Sequence, residues 1–244
     1  SADEMLRQLR TLDTKQTVDR EVKQMVVLTA RNEDIVKTLP FIEAYMPFIK
    51  ELLICCPPAN TESFMSQYKG RLKVSFLTDD ELLAGKKLPA DHAKRNFFLR
   101  CLLMQSDKLD KTFIMTDDDY RPLFEIGKEV FLKDGHYNGY YCYDLREWKG
   151  TEGSHTSFDL SMFKTLEFLK ENDMPMLQYS SHQPQIIDRD IYRELINRYK
   201  GIEETGLDEW SAYFNYGVKN YPDLFRPRIY ISMCWPGSKT DWNL

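Results

Sequence analysis

The first 80 residues alternate between short apolar runs and stretches in which apolar positions recur with helical spacing. The runs at residues 22–29, 51–55 and 72–77 predict three strands. Helical spacing between residues 35 and 45, and again between 61 and 69, predicts the helices that connect them. Alternation of this kind is typical of a parallel sheet with helices on both faces.

A fourth apolar run at residues 112–115 leads into three adjacent carboxylates, Asp117, Asp118 and Asp119. Pro122 then prevents the strand from continuing. Adjacent carboxylates repel each other unless a cation compensates them, and Asp117 and Asp119 point the same way in an extended backbone. Hard oxygen ligands of this kind suit Mg²⁺ or Mn²⁺. The alternative is a solvated acidic turn.

The layout of a strand running into Asp117-Asp118-Asp119 resembles that of the GT-A glycosyltransferases, which hold a metal ion with an Asp-x-Asp motif. The resemblance extends over about residues 22–240. It implies an α/β fold, a three-layer α/β/α sandwich with a mostly parallel central sheet and a Rossmann-like N-terminal half. It also implies one catalytic domain over residues 1–244, with a donor half at about 22–122 and an acceptor half at about 123–244.

Polar clusters follow three of the predicted strands, at residues 29–31, 78–80 and 117–119. In parallel sheets ligands bind at the carboxyl ends of strands, so we expect the clusters to converge. The resemblance implies that a nucleotide-diphospho-sugar donor binds there. It also matches Arg95, near the start of a helix predicted from Asp91 to residue 106, with a family arginine near the donor. An ordinary exposed basic turn is the alternative. The donor-side candidates are Thr29, Ala30, Arg31, Asp79, Arg95, Asp118 and Lys239.

Lys239 lies in a C-terminal segment that faintly resembles the Gly-x-x-Lys-Pro-Trp segment of some retaining members, where the lysine meets the diphosphate. Thr240 and Asp241 stand where proline is usual, and the metal-binding histidine normally found upstream is missing. His182, which precedes a turn, is therefore the substitute candidate for a third ligand, and a structural role is its alternative. The expected metal ligands for Mn²⁺ or Mg²⁺ are Asp117, Asp119 and His182.

The acceptor side is expected near the helix that opens at Asp208 and Glu209 and runs through residue 218. Acids in a first turn suit the helix dipole, so a capping role is the simpler interpretation of both residues. The resemblance implies a more specific interpretation, because many GT-A enzymes place an acidic residue at such a helix start, facing the acceptor. An inverting transfer requires a general base, for which Glu209 is the candidate, whereas a retaining one does not. The sequence leaves both outcomes open.

The remaining elements are predicted with less regular patterns. Residues 144–159 have no apolar periodicity and are expected to form an acceptor-side loop or a surface excursion. The other predicted elements are a peripheral helix within residues 1–21, a short helix at 123–130, a strand at 137–143, helices at 161–170 and 188–200, and a strand at 228–234.

The amino-acid composition limits the classes of partner and the cellular setting expected for this chain. A net charge of −5 does not favour binding to nucleic acid or to an anionic membrane, and no apolar run is long enough to span a bilayer. The five cysteines are odd in number and four of them lie in apolar contexts, which favours free thiols in a reducing, cytoplasmic compartment. None has CxxC spacing, which makes a zinc site unlikely. The chain begins at Ser1 without a methionine, which is compatible with a module of a longer protein, held at a membrane surface through another segment.

Three alternatives to the glycosyltransferase use the same residues differently. A nucleotidyltransferase normally carries a Gly-rich loop after its first strand, where residues 29–33 contain no glycine. A phosphohydrolase would typically require a nucleophilic aspartate directly after the first strand, where this chain has Thr29, Ala30 and Arg31. A non-catalytic module of a larger polypeptide, binding carbohydrate or serving as a scaffold, would leave the three aspartates without a role. The favoured function is transfer of a sugar from the donor to a hydroxyl acceptor, expected to be a glycan or polysaccharide.

Overall fold

A computed structural model describes residues 3–5, 7–8, 21–149 and 155–230 of the 244-residue chain. Residues 3–5 and 7–8 are helical, while the rest of the helix predicted within residues 1–21 lies outside the described residues. Among the described helices, none combines the length and the apolar character needed to cross a bilayer.

The N-terminal half alternates strands and helices, as the apolar pattern predicts. Its elements are β1 (Gln24–Leu28), α1 (Asn32–Tyr45), β2 (Glu51–Cys56), α2 (Asn60–Gln67), β3 (Lys73–Thr78), α3 (Asp79–Leu83), α4 (His92–Leu103) and β4 (Thr112–Thr116). Residues 25–27 of β1 and 113–115 of β4 have no exposed surface. A strand buried on both faces reads as a continuous apolar run, which explains why these were recognisable.

The C-terminal half supplies a second small sheet and the helices behind the central one. Its elements are β5 (Leu132–Lys133), β6 (His136–Tyr141), α5 (Ser157–Glu171), β7 (Gln185–Asp188), α6 (Arg189–Arg198), α7 (Glu209–Asn220) and β8 (Phe225–Ile229). Short 3₁₀ turns lie at Lys128–Val130, Leu145–Glu147 and Ile202–Glu204.

The central sheet has the order β3-β2-β1-β4-β7. The pairs β3–β2, β2–β1 and β1–β4 are parallel, and only β7 joins antiparallel, with Thr112 opposite Asp188. The other sheet has the order β5-β6-β8. The predicted α/β class with a mostly parallel central sheet is therefore confirmed. The carboxyl ends of β1, β2, β3 and β4 lie at one edge, and the functional site forms there.

Side-chain caps fix where two helices begin. The Asp91 carboxylate accepts a hydrogen bond of 2.9 Å from the backbone N–H of Lys94, so α4 begins where the sequence predicts. Asp188 likewise caps α6 by accepting from the N–H groups of Asp190 and Ile191. Helix α4 ends at Leu103, earlier than the predicted residue 106.

Several predicted elements differ from the structure. The helix predicted at 123–130 is wrong except for its last 3₁₀ turn, because Leu123 and Phe124 are 76% and 72% exposed and offer no apolar face to the core. Helix α5 begins at Ser157 rather than 161, because Thr156 forms a capping box with Asp159. The loop predicted at 144–159 is correspondingly shorter, and residues 150–154 lie outside the described residues.

Two further differences concern strands. The last strand is Phe225–Ile229 rather than 228–234, and residues 231–234 lie outside the described residues. Pro227 is tolerated there because β8 is an edge strand. Strand β7 was not predicted, since its two isoleucines stand between the buried polar residues Gln185 and Asp188.

Candidate functional site

One cavity of about 820 Å³ lies at the carboxyl edge of the central sheet. The polar clusters after β1, β3 and β4 all contribute to its wall, together with helix α4 and the start of α7. The predicted convergence of strand ends is therefore confirmed. The predicted site residues that line the cavity are Thr29, Ala30, Arg31, Asp79, Arg95, Asp117, Asp118, Asp119, His182, Asp208 and Glu209. Lys239 lies outside the described residues.

Asp118 ties the end of β4 to the end of β1. Its Oδ2 accepts hydrogen bonds from the Thr29 hydroxyl at 2.6 Å and from Arg31 Nε at 3.1 Å, and its Oδ1 forms an ion pair with Arg31 Nη2. Asp118 is only 5% exposed, so its carboxylate is held mainly by protein groups. Asp118 therefore orients the Arg31 side chain. The expected contact between Asp118 and the donor stays a prediction.

Asp117 and Asp119 differ in how far neighbouring protein cations offset their negative charge. Asp117 Oδ2 lies 3.5 Å from His182 Nδ1, and its Oδ1 lies 3.6 Å from Arg100 Nη2. Burial alone would raise the pKa of Asp117, but the hydrogen bond to His182 and the charge of Arg100 outweigh it and lower that pKa. Asp119 is exposed, and in the described part of the chain no hydrogen bond or ion pair holds it.

His182 has a strained backbone and an exposed side chain, 69% of which is accessible to solvent. Its φ of 51° lies in the left-handed region, which is uncommon for residues other than glycine. The contact with Asp117 raises the pKa of His182, against the opposing effect of burial. A strained residue at a polar site is a recurrent feature of functional centres.

In the part of the chain that the structure describes, no cluster of three metal ligands is preassembled. Within residues 3–149 and 155–230, so far as they are described, no three His, Cys, Asp or Glu side chains are close enough to hold an ion. Mg²⁺ and its relatives commonly use only one or two protein carboxylates together with substrate phosphates. The two carboxylates of Asp117 and Asp119 in one cavity fit that chemistry, whereas His182 instead contacts Asp117.

Arg100 is a central residue of the site that the sequence interpretation missed. It is 5% exposed, and its Nη1 lies 2.5 Å from Glu209 Oε1. Its guanidinium also lies 5.1 Å from the centre of the Trp210 ring. Arg100 therefore links the acid at the start of α7 to Asp117 at the end of β4. The available signal was a single cation inside the otherwise apolar run at residues 97–104.

The start of α7 carries both predicted acids. Asp208 is the helix N-cap, and its Oδ1 accepts a 2.7 Å hydrogen bond from the N–H of Ser211, which confirms the capping interpretation. Its Oδ2 accepts from the Ser180 hydroxyl. Glu209 is the first helical residue and is 9% exposed. Burial raises the pKa of Glu209 to about 7, while the Arg100 charge opposes that rise.

Gly206 fixes the approach of this segment to α4. Its φ of 73° is left-handed, and a Cβ there would lie 2.8 Å from Lys94 Cγ. Only glycine meets both conditions without strain. On the cavity side of α4, Arg95 Nη2 lies 3.2 Å from His92 Nδ1, and both residues line the cavity. The first turn of α4 thus presents polar groups to the donor side.

Comparison with protein-family models and with curated proteins finds no match. Among solved structures, the chain is similar to glucosyl-3-phosphoglycerate synthase of M. tuberculosis, with 12% identity and a TM-score of 0.49 over 95% of this chain and 78% of that one. It is also similar to the galactosyltransferase LgtC solved with donor and acceptor sugar analogues, with 15% identity and a TM-score of 0.45 over 83% and 66% of the two chains. Both are GT-A fold glycosyltransferases. A likeness of this extent transfers no residue role or activity to this chain.

Proposed function

We propose that this protein is a glycosyltransferase that moves a sugar from a nucleotide-diphospho-sugar to a hydroxyl group of an acceptor. One observation carries the proposal. A single cavity joins the acidic end of β4, with Asp117 and Asp119, to a buried carboxylate, Glu209, through the shared cation Arg100. A volume of about 820 Å³ is also within the usual range for a ligand of this size.

The donor end of the cavity suits a nucleotide. Thr29, Ala30 and Arg31 line it beside Cys55 and Asp79, so both apolar and hydrogen-bonding groups contribute to the wall. Burial, with a smaller effect from Asp80, raises the pKa of the Asp79 carboxyl. A carboxylate at this end can accept hydrogen bonds from the N–H groups of a base or from ribose hydroxyls. The guanidinium of Arg95 supplies positive charge for the phosphates.

Asp117 and Asp119 are the residues that would hold a divalent cation. A bound Mn²⁺ or Mg²⁺ would neutralise charge on the departing nucleotide diphosphate. The carboxylate of Asp119 is the more available of the two for this purpose, since Arg100 and His182 already contact Asp117.

Glu209 is the candidate base for an inverting transfer. In that reaction the acceptor oxygen bonds to the anomeric carbon, the bond from that carbon to the diphosphate breaks, and Glu209 takes the hydroxyl proton. A pKa of about 7 is well matched to a base that works near neutral pH. In a retaining transfer Glu209 would instead only position the acceptor, and the anomeric configuration of the product separates the two.

The proposal is tested by thermal unfolding with uridine, guanosine, adenosine and thymidine diphosphates, each with and without Mn²⁺. A ligand that binds only the folded protein raises the midpoint by mass action. We expect one nucleotide to raise it in a manner that needs Mn²⁺ and is lost in Asp119→Ala. Asp107→Ala is the matched control, because Asp107 is exposed and is not among the cavity residues. No shift with any nucleotide would contradict the donor site.

A second measurement separates the transferase from a nucleotidyltransferase. Transfer releases a nucleoside diphosphate from the donor sugar, whereas nucleotidyl transfer releases pyrophosphate from a nucleoside triphosphate. Pyrophosphate release from a triphosphate and a sugar phosphate, with no turnover of any nucleotide sugar, would overturn the proposal.

A further inference from the structure

A second part of the cavity wall lies where α5 packs beside the start of α7. It is formed by Phe158 and Ser161 of α5, by Ser180, and by Asp208, Glu209 and Trp210 at the start of α7. We call these six residues the acceptor end. We propose that the acceptor end binds a neutral carbohydrate and that Phe158 is the surface on which a sugar ring stacks. The inference rests on the proposed function in identifying this sugar as the acceptor.

The acids at the acceptor end favour a neutral ligand over an anionic one. Two of its six residues are acids, and the nearest buried cation, Arg100, is already paired with Glu209 and Asp117. His182, beside this end, faces Asp117. A phosphate or carboxylate on the acceptor would meet like charge without an uncommitted cation among these groups. Sugar hydroxyls, in contrast, can donate hydrogen bonds to carboxylates.

Phe158 has the exposure expected of a stacking surface. It is 43% exposed although it lies in the wall of a cavity, and among the described Phe, Tyr and Trp residues Phe124 alone shares this exposed state. It makes an edge-to-face contact with Trp148, with ring centroids 5.6 Å apart, and Trp148 stacks on Tyr143 at 5.8 Å. These contacts restrict the position of the Phe158 ring. An aromatic ring beside carboxylates and hydroxyls matches the apolar C–H face and polar edge of a sugar.

The direct test is binding of oligosaccharides to the whole chain in the absence of donor. The neutral probes are maltotriose, cellotriose, mannotriose and lactose, and the anionic probes are sialyllactose and a hyaluronan tetrasaccharide, all measured by calorimetry. We expect at least one neutral probe to bind, and Phe158→Ala to weaken that binding on the order of tenfold. Phe158→Tyr should retain it. Binding of lactose weaker than that of sialyllactose, or no binding of any neutral probe, would overturn the inference.

Leu160→Ala is the matched control. Leu160 is 47% exposed on the same helix, two residues from Phe158, but it is not a cavity residue. We expect this variant to bind the neutral probe as the wild type does. Equal weakening by both substitutions would show a general surface effect and would overturn the role of Phe158. The cap of α5 by Thr156 and Asp159 is untouched in either variant, so both should fold.

The experiments distinguish a failure of the carbohydrate site at the acceptor end from a failure of the proposed transferase function. Neutral sugar bound through Phe158, with no nucleotide diphosphate bound in the presence or absence of Mn²⁺, would refute the transferase and leave the carbohydrate site standing. Turnover of a nucleotide sugar with an acceptor KM that is unchanged in Phe158→Ala would refute the stacking role and leave the transferase standing.

Discussion

Removing Arg100 should destabilise the protein in a way that depends on pH. Arg100→Met keeps an unbranched apolar stem but removes the guanidinium that lies 2.5 Å from Glu209 and 3.6 Å from Asp117. Breaking a buried ion pair from one side leaves an uncompensated charge and costs about 3 to 5 kcal/mol. This is a large share of the ~5 to 15 kcal/mol that stabilises a typical domain.

The sign of the pH dependence follows from Glu209. Burial already raises its folded-state pKa to about 7, and Arg100 is the group that opposes this rise. Without Arg100 the pKa of Glu209 rises further, so the folded protein holds a proton that the unfolded chain releases. Stability from such a group is present at low pH and is lost as pH rises through the folded pKa. The loss caused by Arg100→Met should therefore be larger at pH 8 than at pH 5.

Urea unfolding followed by tryptophan fluorescence at pH 5 and pH 8 measures both quantities. Adding Glu209→Gln should recover part of the loss at pH 8, because the uncompensated charge is then gone. Arg193→Met is the control, since Arg193 donates to the backbone carbonyls of Met104 and Ser106 and contacts no carboxylate in the described structure. A loss below about 1 kcal/mol, equal at both pH values, would refute the linking role of Arg100.

Three further predictions concern the site and the residues that support it. If the transfer inverts, Glu209→Gln should lower kcat on the order of 10²- to 10⁴-fold at saturating donor and should leave nucleotide binding unchanged. The rate of the wild-type enzyme should then rise with pH through about 7, as the Glu209 base loses its proton. Asp118→Asn should cost about 1 kcal/mol in thermal unfolding, because Arg31 is 61% exposed and solvent screens much of the pair. Gly206→Ala should cost about 1 to 2 kcal/mol, because its φ of 73° strains any residue with a Cβ.

Each of these three predictions would be contradicted by a specific result. A pH profile that is flat between pH 6 and 8, in a protein whose product is inverted, would exclude Glu209 as the base. A loss for Asp118→Asn as large as that for Arg100→Met would mean that the exposed half of its pair is not screened as described. An unchanged midpoint in Gly206→Ala would mean that the segment before α7 relaxes without cost.

The sequence predicted the place of the site because topology determines it. Adjacent parallel strands carry their carboxyl ends to one edge, so the residues after β1, β3 and β4 had to meet once the strands were recognised. The helix caps Asp91, Asp188 and Asp208 were also predictable, because a cap acts on backbone groups two or three residues away. These features depend on local pattern together with one general rule of chain connection.

The missed features depend on partners that are distant along the chain. Arg100 interrupts an apolar run, but its partner Glu209 belongs to another helix, and no local pattern identifies that pair. Strand β7 was missed because Gln185 is polar yet buried. The Gln185 amide bonds to the backbone of Tyr140 in β6 at 2.8 and 2.9 Å, which compensates its burial. The false helix near Leu123 shows the reverse case, in which apolar residues find no core to pack against.

The central claim is tested most directly by turnover of nucleotide sugars. Wild-type protein is incubated with UDP-, GDP-, ADP- and dTDP-sugars, with and without Mn²⁺, and the released nucleoside diphosphate is quantified, with a neutral oligosaccharide as acceptor. The account predicts release from one nucleotide class that requires Mn²⁺, increases with acceptor, and is lost in Asp119→Ala while Asp107→Ala retains it. No release from any donor above that of a heat-inactivated sample would contradict the account.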